Sequence, residues 1–178
     1  MRYVAQLLTL VTLFGARAVM AAPPHAHQHG AVTLAVAIDG EQLSIAMEAP
    51  LDSLLGFERA PRSEAERRAA SELLARLRNG GAALFKPDAA ARCTLVTAQV
   101  RADVLEPAAQ PAPKDGEHAD IDADYAFKCT SPNLLRSVDV GLLDAFKRIR
   151  RIEVQVVGPK GQHKATLERP ARTIPMQR

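Results

Sequence analysis

The sequence predicts an α+β domain: an antiparallel sheet built from hairpins, with one amphipathic helix inserted. Three observations predict it. Apolar residues alternate with polar or small ones along several short segments, the period of a half-buried strand. Tight-turn signals join two pairs of those segments. One stretch between them is built of helix formers behind a capping pattern. Strands in hairpins with a helix set among them belong to the α+β class.

The elements follow in order. Residues 31–38, Ala-Val-Thr-Leu-Ala-Val-Ala-Ile, read as a strand with Val32, Leu34, Val36 and Ile38 on one face. Asp39-Gly40 is a hairpin-turn signal. Leu43, Ile45 and Met47 alternate with Gln42, Ser44, Ala46 and Glu48 in the returning strand, which Pro50 ends. Ser63-Glu64-Ala65-Glu66 has the capping-box form. The chain from there to Asn79 is rich in Ala, Glu, Leu and Arg, with Ala70, Leu73, Leu74 and Leu77 as an apolar stripe at helical spacing. Arg76 and Arg78 suit the negative end of the helix dipole, and Gly80-Gly81 terminates it.

Leu84-Phe85 suggests a short strand, and residues 93–104 a longer one, in which Cys93, Leu95, Thr97 and Gln99 oppose Thr94, Val96, Ala98 and Val100. Residues 106–117 form a Pro/Ala-rich linker, unsuited to a central strand. Residues 120–129 alternate, with Ile121, Ala123, Tyr125, Phe127 and Cys129 inward and Asp120, Asp122 and Asp124 on the solvent face of an edge strand. Leu142, Leu143 and Phe146 predict a helical turn. Residues 152–157, a Gly158-Pro159-Lys160-Gly161 turn and residues 162–168 predict a closing hairpin.

Ahead of this domain stands an export signal. Met1-Arg2 supplies a positive start, residues 4–15 an apolar run, and Ala18 to Ala22 small residues before Pro23-Pro24. That order is the one a secretory signal has, and the run is shorter than the roughly 20 apolar residues a membrane span needs. Cleavage after Ala21 or Ala22 fits; Arg17 supports an uncleaved anchor as the alternative. No Cys follows the apolar run to carry a lipid. The expected organisation is a signal over residues 1–22, a His-containing leader over 23–30, and a single α+β domain over 31–178. Removing the signal, which holds Arg2 and Arg17 and no acid, lowers the net charge from +3 to +1. The sequence pI of 9.1 therefore overstates the basicity of the exported chain. A chain so nearly neutral offers no general field for nucleic acid or an anionic membrane, and no membrane insertion is expected once the apolar signal is cleaved. With no Trp in the chain, stacking platforms are not suggested.

The two cysteines, Cys93 and Cys129, most simply pair in an oxidising compartment. If residues 93–104 and 120–129 pair antiparallel across the linker, the two lie side by side. A thiolate metal pair or a redox pair is the alternative, and no second Cys at CxxC spacing supports it. Catalytic signatures fail: there is no GxSxG, HExxH, P-loop or GxGxxG in a strand-to-helix context. A dispersed triad would leave no local pattern, so the expectation of a non-enzymatic protein rests on motifs alone.

Histidine is the remaining signal. His25, His27 and His29 alternate just behind the cleavage site. Neutral imidazole is a zinc ligand. Alternate residues of an extended chain point the same way roughly 6.6 Å apart, so two can converge on one ion, and three if the segment bends at Gly30. A polar leader without a metal is the equal alternative. A second group is His118 with Glu117 and Asp120, which adds ligands in the same reading; Asp115, Asp122 and Asp124 lie nearby but lack EF-hand spacing. His163 reads as a surface turn histidine. An amino-terminal copper site is disabled, because Pro24 would stand second and has no N–H to surrender.

Taken together, His25-Ala26-His27-Gln28-His29-Gly30, Asp39-Gly40, Glu48-Ala49-Pro50, Gly56-Phe57-Glu58-Arg59-Ala60-Pro61, His118-Ala119-Asp120, Tyr125-Ala126-Phe127-Lys128-Cys129, Gln155-Val156-Val157 and Gly161-Gln162 resemble the ZrgA-like family of zinc-regulated periplasmic proteins. The resemblance covers essentially the whole exported chain. It implies a periplasmic protein, made in zinc shortage, that binds zinc and assists an ABC-type importer, with a periplasmic solute-binding protein as its partner. There are two departures. Residues 107–117 hold no His where relatives often carry a His/Asp/Glu-rich insert, and Arg59 stands where Gly-Phe-Glu is often followed by His. His25, His27, His29 and His118 are then left to carry the zinc. The expected function is a zinc-binding accessory protein that buffers the ion or delivers it to the importer. The runner-up is an envelope interaction module without a metal.

Overall fold

The computed structural model describes residues 29–105 and 119–176. Nine strands and four helices order as β1 (Ala31–Asp39), β2 (Gln42–Pro50), α1 (Leu51–Leu55), α2 (Glu64–Asn79), α3 (Gly81–Leu84), β3 (Phe85–Pro87), β4 (Cys93–Arg101), β5 (Asp120–Cys129), β6 (Ser137–Val140), α4 (Leu142–Ala145), β7 (Arg151–Gly158), β8 (Gly161–Glu168) and β9 (Thr173–Pro175). They make a six-stranded sheet in the order β4-β5-β2-β1-β7-β8 and a small sheet β3-β6-β9. The α+β class holds.

Alternation decides which face of the large sheet is covered. Val32, Leu34 and Val36 of β1, Leu43, Ile45 and Met47 of β2, Ile121, Tyr125 and Phe127 of β5, and Ile152, Val154 and Val156 of β7 are all at most 2% exposed. Against this face lies α2, whose buried residues are Ala70, Leu73, Leu74 and Leu77. Phe85, Val138, Val140 and Ile174 of the small sheet complete the same core. The opposite face, with Thr33, Ala35, Ala37, Ala46 and Glu48, is open.

The chain enters α2 through Ser63, whose Oγ accepts the Glu66 N–H at 3.1 Å, one of the amides a helix start leaves without an internal partner. At the other end, the Tyr125 hydroxyl donates to the Leu77 carbonyl at 3.1 Å. That ties the last turn of α2 to the middle of β5. Burial pushes the phenol well above its ordinary range, so it stays a donor.

The large sheet departs from the expected antiparallel pattern. Strand β1 pairs with β7 in parallel, Ala31 opposite Arg151 and Ala37 opposite Val157, so the sheet is mixed. Pairing consecutive strands cannot foresee this. The chain travels through β6 and α4 and returns to the starting end of β1, where the Gly30 carbonyl accepts the amides of Arg150 (2.7 Å) and Arg151 (3.1 Å).

The expected strand over 93–104 ends at Arg101, and a β-bulge at Val96 shifts its register against β5. Beyond the bulge the faces exchange: Val96 is 62% exposed and Val100 is buried, so Thr97 and Gln99 do not share the face of Cys93 and Leu95. Strand β5 is interior, flanked by β4 and β2, and its aspartates are not on an edge. Asp122 is exposed and Asp124 half-buried. The expected strand at Leu84-Phe85 instead ends a helical turn and begins β3 at Phe85. Helix α1, strand β6 and strand β9 were not expected at all.

Cys93 and Cys129 face each other in the β4–β5 ladder and form a disulfide. It closes a loop with a sequence separation of 36 that contains the Pro/Ala-rich linker. In the chain-entropy account such a closure stabilises by about 4 kcal/mol. The double variant Cys93→Ser/Cys129→Ser should lower the urea midpoint accordingly. An unchanged midpoint would mean that the loop does not constrain the unfolded chain. Tyr125→Phe keeps the ring packing but strips the Leu77 carbonyl of its partner, and should cost about 1–2 kcal/mol in the same measurement.

Candidate functional site

His29 is the one expected leader ligand within the described residues; His25, His27 and His118 lie outside them. It stands at the start of β1, and two anchors fix it there. Gly30 has φ +82°, a conformation glycine adopts without strain, and its amide donates to the buried Ser53 Oγ at 2.9 Å. Its carbonyl accepts from β7, as above. The backbone at Gly30 is therefore held on both sides.

The His29 ring lies against α1. Its Nδ1 is 3.0 Å from Asp52 Oδ2, and its Nε2 is 4.0 Å from Glu58 Oε1. An ionised carboxylate can only accept, so Nδ1 is the nitrogen that carries the proton toward Asp52. Nε2 is the nitrogen on the side away from Asp52, toward Glu58. Histidines that bind metals are commonly oriented by such a carboxylate behind the ligating ring.

Asp52 is itself held. Arg148 Nη2 donates to Asp52 Oδ1 at 2.8 Å, and Arg148 Nε donates to the Asp52 backbone carbonyl at 2.7 Å. The guanidinium reaches this position across Gly56, the left-handed cap of α1 (φ +87°), where a Cβ would meet Arg148 Cζ at 3.2 Å. The signals for α1 are present in sequence, Asp52 in a first turn and Gly56 just past Leu54-Leu55, but five residues are too few for periodicity to register.

A second root reaches the same helix. The Leu51 amide donates to the carbonyl of Ala119 at 2.9 Å, and Pro50 pairs with Asp120 in the β2–β5 ladder. Ala119 is the residue that follows His118. Adjacent residues of α1, Leu51 and Asp52, thus hold the origins of both segments in which the sequence places its candidate ligands.

Arg59 contacts Glu66 and Phe57. It forms a two-pronged pair with Glu66 (2.9 and 2.8 Å) and lies over the Phe57 ring at 5.1 Å. Glu66 also accepts the Arg62 amide at 2.6 Å. The Arg59 hydrogen bonds, then the Arg62 amide, hold the Glu66 carboxyl down at about 2. This cluster braces residues 56–63, the segment that presents Glu58.

The other acidic residues do not join this arrangement. Asp124 pairs with Arg101 at 3.0 Å. Burial raises the Asp122 carboxyl above its ordinary range; Arg101 opposes that shift, and Glu48 directly across the ladder adds to it. His163, expected as a turn histidine, lies half-buried in β8 with Nε2 3.0 Å from the Pro175 carbonyl. It lines a cleft of about 600 Å³ with Ile38, Leu135, Lys160 and Met176. That cleft is at the turn end of the large sheet, a strand length from His29, or roughly 25–30 Å.

Among the described residues, no group of three or more His, Cys, Asp or Glu side chains could hold a metal ion. What the described fold contributes is an oriented imidazole and a facing carboxylate, both of the donor types that zinc accepts. No described helix is long and apolar enough to cross a membrane.

These features define a small α+β sheet protein with a histidine–carboxylate pair at the root of its amino-terminal leader. The family model for the ZrgA family zinc uptake protein matches residues 26–176, and the chain belongs to that family. It is therefore a protein of zinc uptake. No curated protein matches the chain.

The Glu66 brace makes a pH prediction. A carboxyl held at about 2 against an ordinary 4.5 contributes stability that is complete above pH 4.5 and is lost as the pH falls toward 2. The stability difference between the parent and Glu66→Gln, followed by denaturant unfolding, should be constant above pH 4.5 and close between there and pH 2. A gap that did not change with pH would place the contribution elsewhere.

Proposed function

We propose that this chain is a periplasmic, non-enzymatic zinc-binding accessory protein that buffers zinc or hands it to the solute-binding protein of an ABC-type importer. The ligands are His25, His27 and His29 of the leader, with His118 completing the set. One observation carries the reading: α1 holds both roots, Asp52 orienting the His29 ring and Leu51 binding the carbonyl next to His118. The two segments that hold the candidate ligands therefore both begin beside one short helix. Family membership supports zinc as the cargo, and the export signal supports the compartment.

The second reading, an envelope interaction module without a metal, draws on the open face of the large sheet. Small side chains at Ala35, Ala37 and Ala46 would let another surface approach closely there.

Calorimetric titration of the signal-free protein with zinc separates the two. The parent should bind about one zinc ion in a tetrahedral site. Its affinity should fall on acidification, because protons compete for the imidazole nitrogens. The variant with His25, His27 and His29 all changed to Ala should lose that binding. Retained binding would move the site to His118 and its acidic neighbours. A parent that binds nothing tighter than about 0.1 mM, roughly −5.5 kcal/mol, would sink the zinc reading and leave the interaction module.

A further inference from the structure

We infer that β8 is an edge for self-association: two copies of this chain pair their β8 strands antiparallel about Thr166 and join their large sheets. The inference stands apart from the zinc reading and from the open face of the sheet.

Strand β8 is the last strand of the large sheet, bonded to β7 on one side only. Register decides which of its residues face outward. The Arg151 amide is given to Gly30 at the start of β1, so the odd-numbered residues of β7 bond β1 and the even-numbered ones bond β8. Ile152 faces Leu167, and Val154 faces Ala165. The odd-numbered residues of β8 are therefore engaged with β7, and the N–H and C=O of Thr166 point away from the sheet. The Glu168 carbonyl points the same way; it accepts the Ala171 amide at 2.8 Å, which ends the edge there. Outward backbone groups on a regular strand are a template for another strand.

The two edges of the sheet differ. On β4 the bulge at Val96 breaks the row, and the Val100 carbonyl accepts Arg78 Nη2 at 3.4 Å. Strand β8 runs without a register shift from Gly161 to Glu168 and holds no proline.

The residues of β8 fit a second copy of themselves. Antiparallel pairing through outward groups requires that both members of each facing pair be even-numbered. Centred on Thr166, it sets Thr166 opposite the second copy's Thr166, and Lys164 opposite the second copy's Glu168, twice by symmetry. These side chains are exposed on the open face, where opposite charges facing across strands favour pairing. Among centres from Lys164 to Leu167, Thr166 alone brings opposite charges within the strand face to face; a centre at Lys164 would oppose two ammonium groups. Lys164 already has a partner in its own chain, and the three donors of an ammonium can serve both. At the start of β8, His163 Nε2 lies 3.0 Å from the Pro175 carbonyl, so β9 approaches that end and the pairing runs over residues 164–168. Five residues per strand bury far less than the about 1,600 Å² of a standard interface. The dimer is therefore weak, with a dissociation constant of about 0.1 mM.

Sedimentation equilibrium of the signal-free protein tests this, with a chelator present so that metal bridges between leaders do not count. The average mass should rise from monomer toward dimer between about 10 µM and 1 mM, and exchange of the Thr166 amide should slow over the same range. Thr166→Pro removes the outward N–H and leaves the β7 ladder intact, the place where an edge strand accepts proline. It should abolish the dimer with the monomer's circular dichroism unchanged. Glu168→Lys should weaken association about 10-fold, and Lys164→Glu/Glu168→Lys, which exchanges the two charges, should restore it. Ala46→Lys, on the open face, should leave association as in the parent. A parent that stays monomeric at about 1 mM would overturn the inference, as would a dimer that survives Thr166→Pro. A dimer lost in Ala46→Lys and kept in Thr166→Pro would place the contact on the open face. If Thr166→Pro does not fold, the charge exchange decides, and failure to restore the dimer sinks the pairing.

Discussion

The parallel pairing of β1 with β7 is the constraint on which the rest of the molecule depends. It places β1 in the interior of the six-stranded sheet, with both edges bonded and one face wholly covered. It also brings the end of the 147–150 loop onto Gly30, whose carbonyl takes two amides from it. Arg148 is carried to α1 by that contact. Without the pairing, Asp52 would keep its place at the end of β2 but lose the guanidinium that holds both its carboxylate and its carbonyl. The orientation of His29 is in this sense a consequence of sheet order rather than of any local motif.

Two kinds of interaction then divide the work. The core is apolar and continuous, and its buried hydroxyls are paired: Ser53 accepts the Gly30 amide and Tyr125 donates to the Leu77 carbonyl. The surface near the leader is held instead by charged hydrogen bonds. Arg148 to Asp52 and Arg59 to Glu66 are both multi-pronged, the form in which arginine pairs give direction as well as attraction. Each is partly exposed, so each contributes modestly to stability. Their larger effect is to limit the freedom of the short segments that carry Asp52 and Glu58. Arg59, paired with Glu66 and stacked on Phe57, braces the segment that follows α1.

Among the described residues, no complete set of metal ligands is assembled. A fully enclosed set of protein ligands on a rigid frame describes a structural zinc site. Here the described fold offers an imidazole and a carboxylate at the surface, and the other candidate ligands belong to segments rooted on the same helix.

The sequence by itself determined what depends on neighbours along the chain. The buried faces of residues 32–36, 43–47 and 121–129 and the residue types of the site could be read there, because alternation and short motifs are local properties. The pairing of Cys93 with Cys129 could be inferred because only two cysteines exist. Tertiary structure alone decided what depends on residues distant in sequence. The parallel β1–β7 ladder, the interior place of β5 and the bulge at Val96 each arise from strands meeting across many residues, where periodicity carries no information. The same holds for the site. His29 was legible as a candidate, but Asp52 and Glu58 sit in a five-residue helix and its exit, and Arg148 is 96 residues from Asp52. A hydrogen bond over that separation is specified by the sheet that brings its ends together, and by nothing in either segment alone.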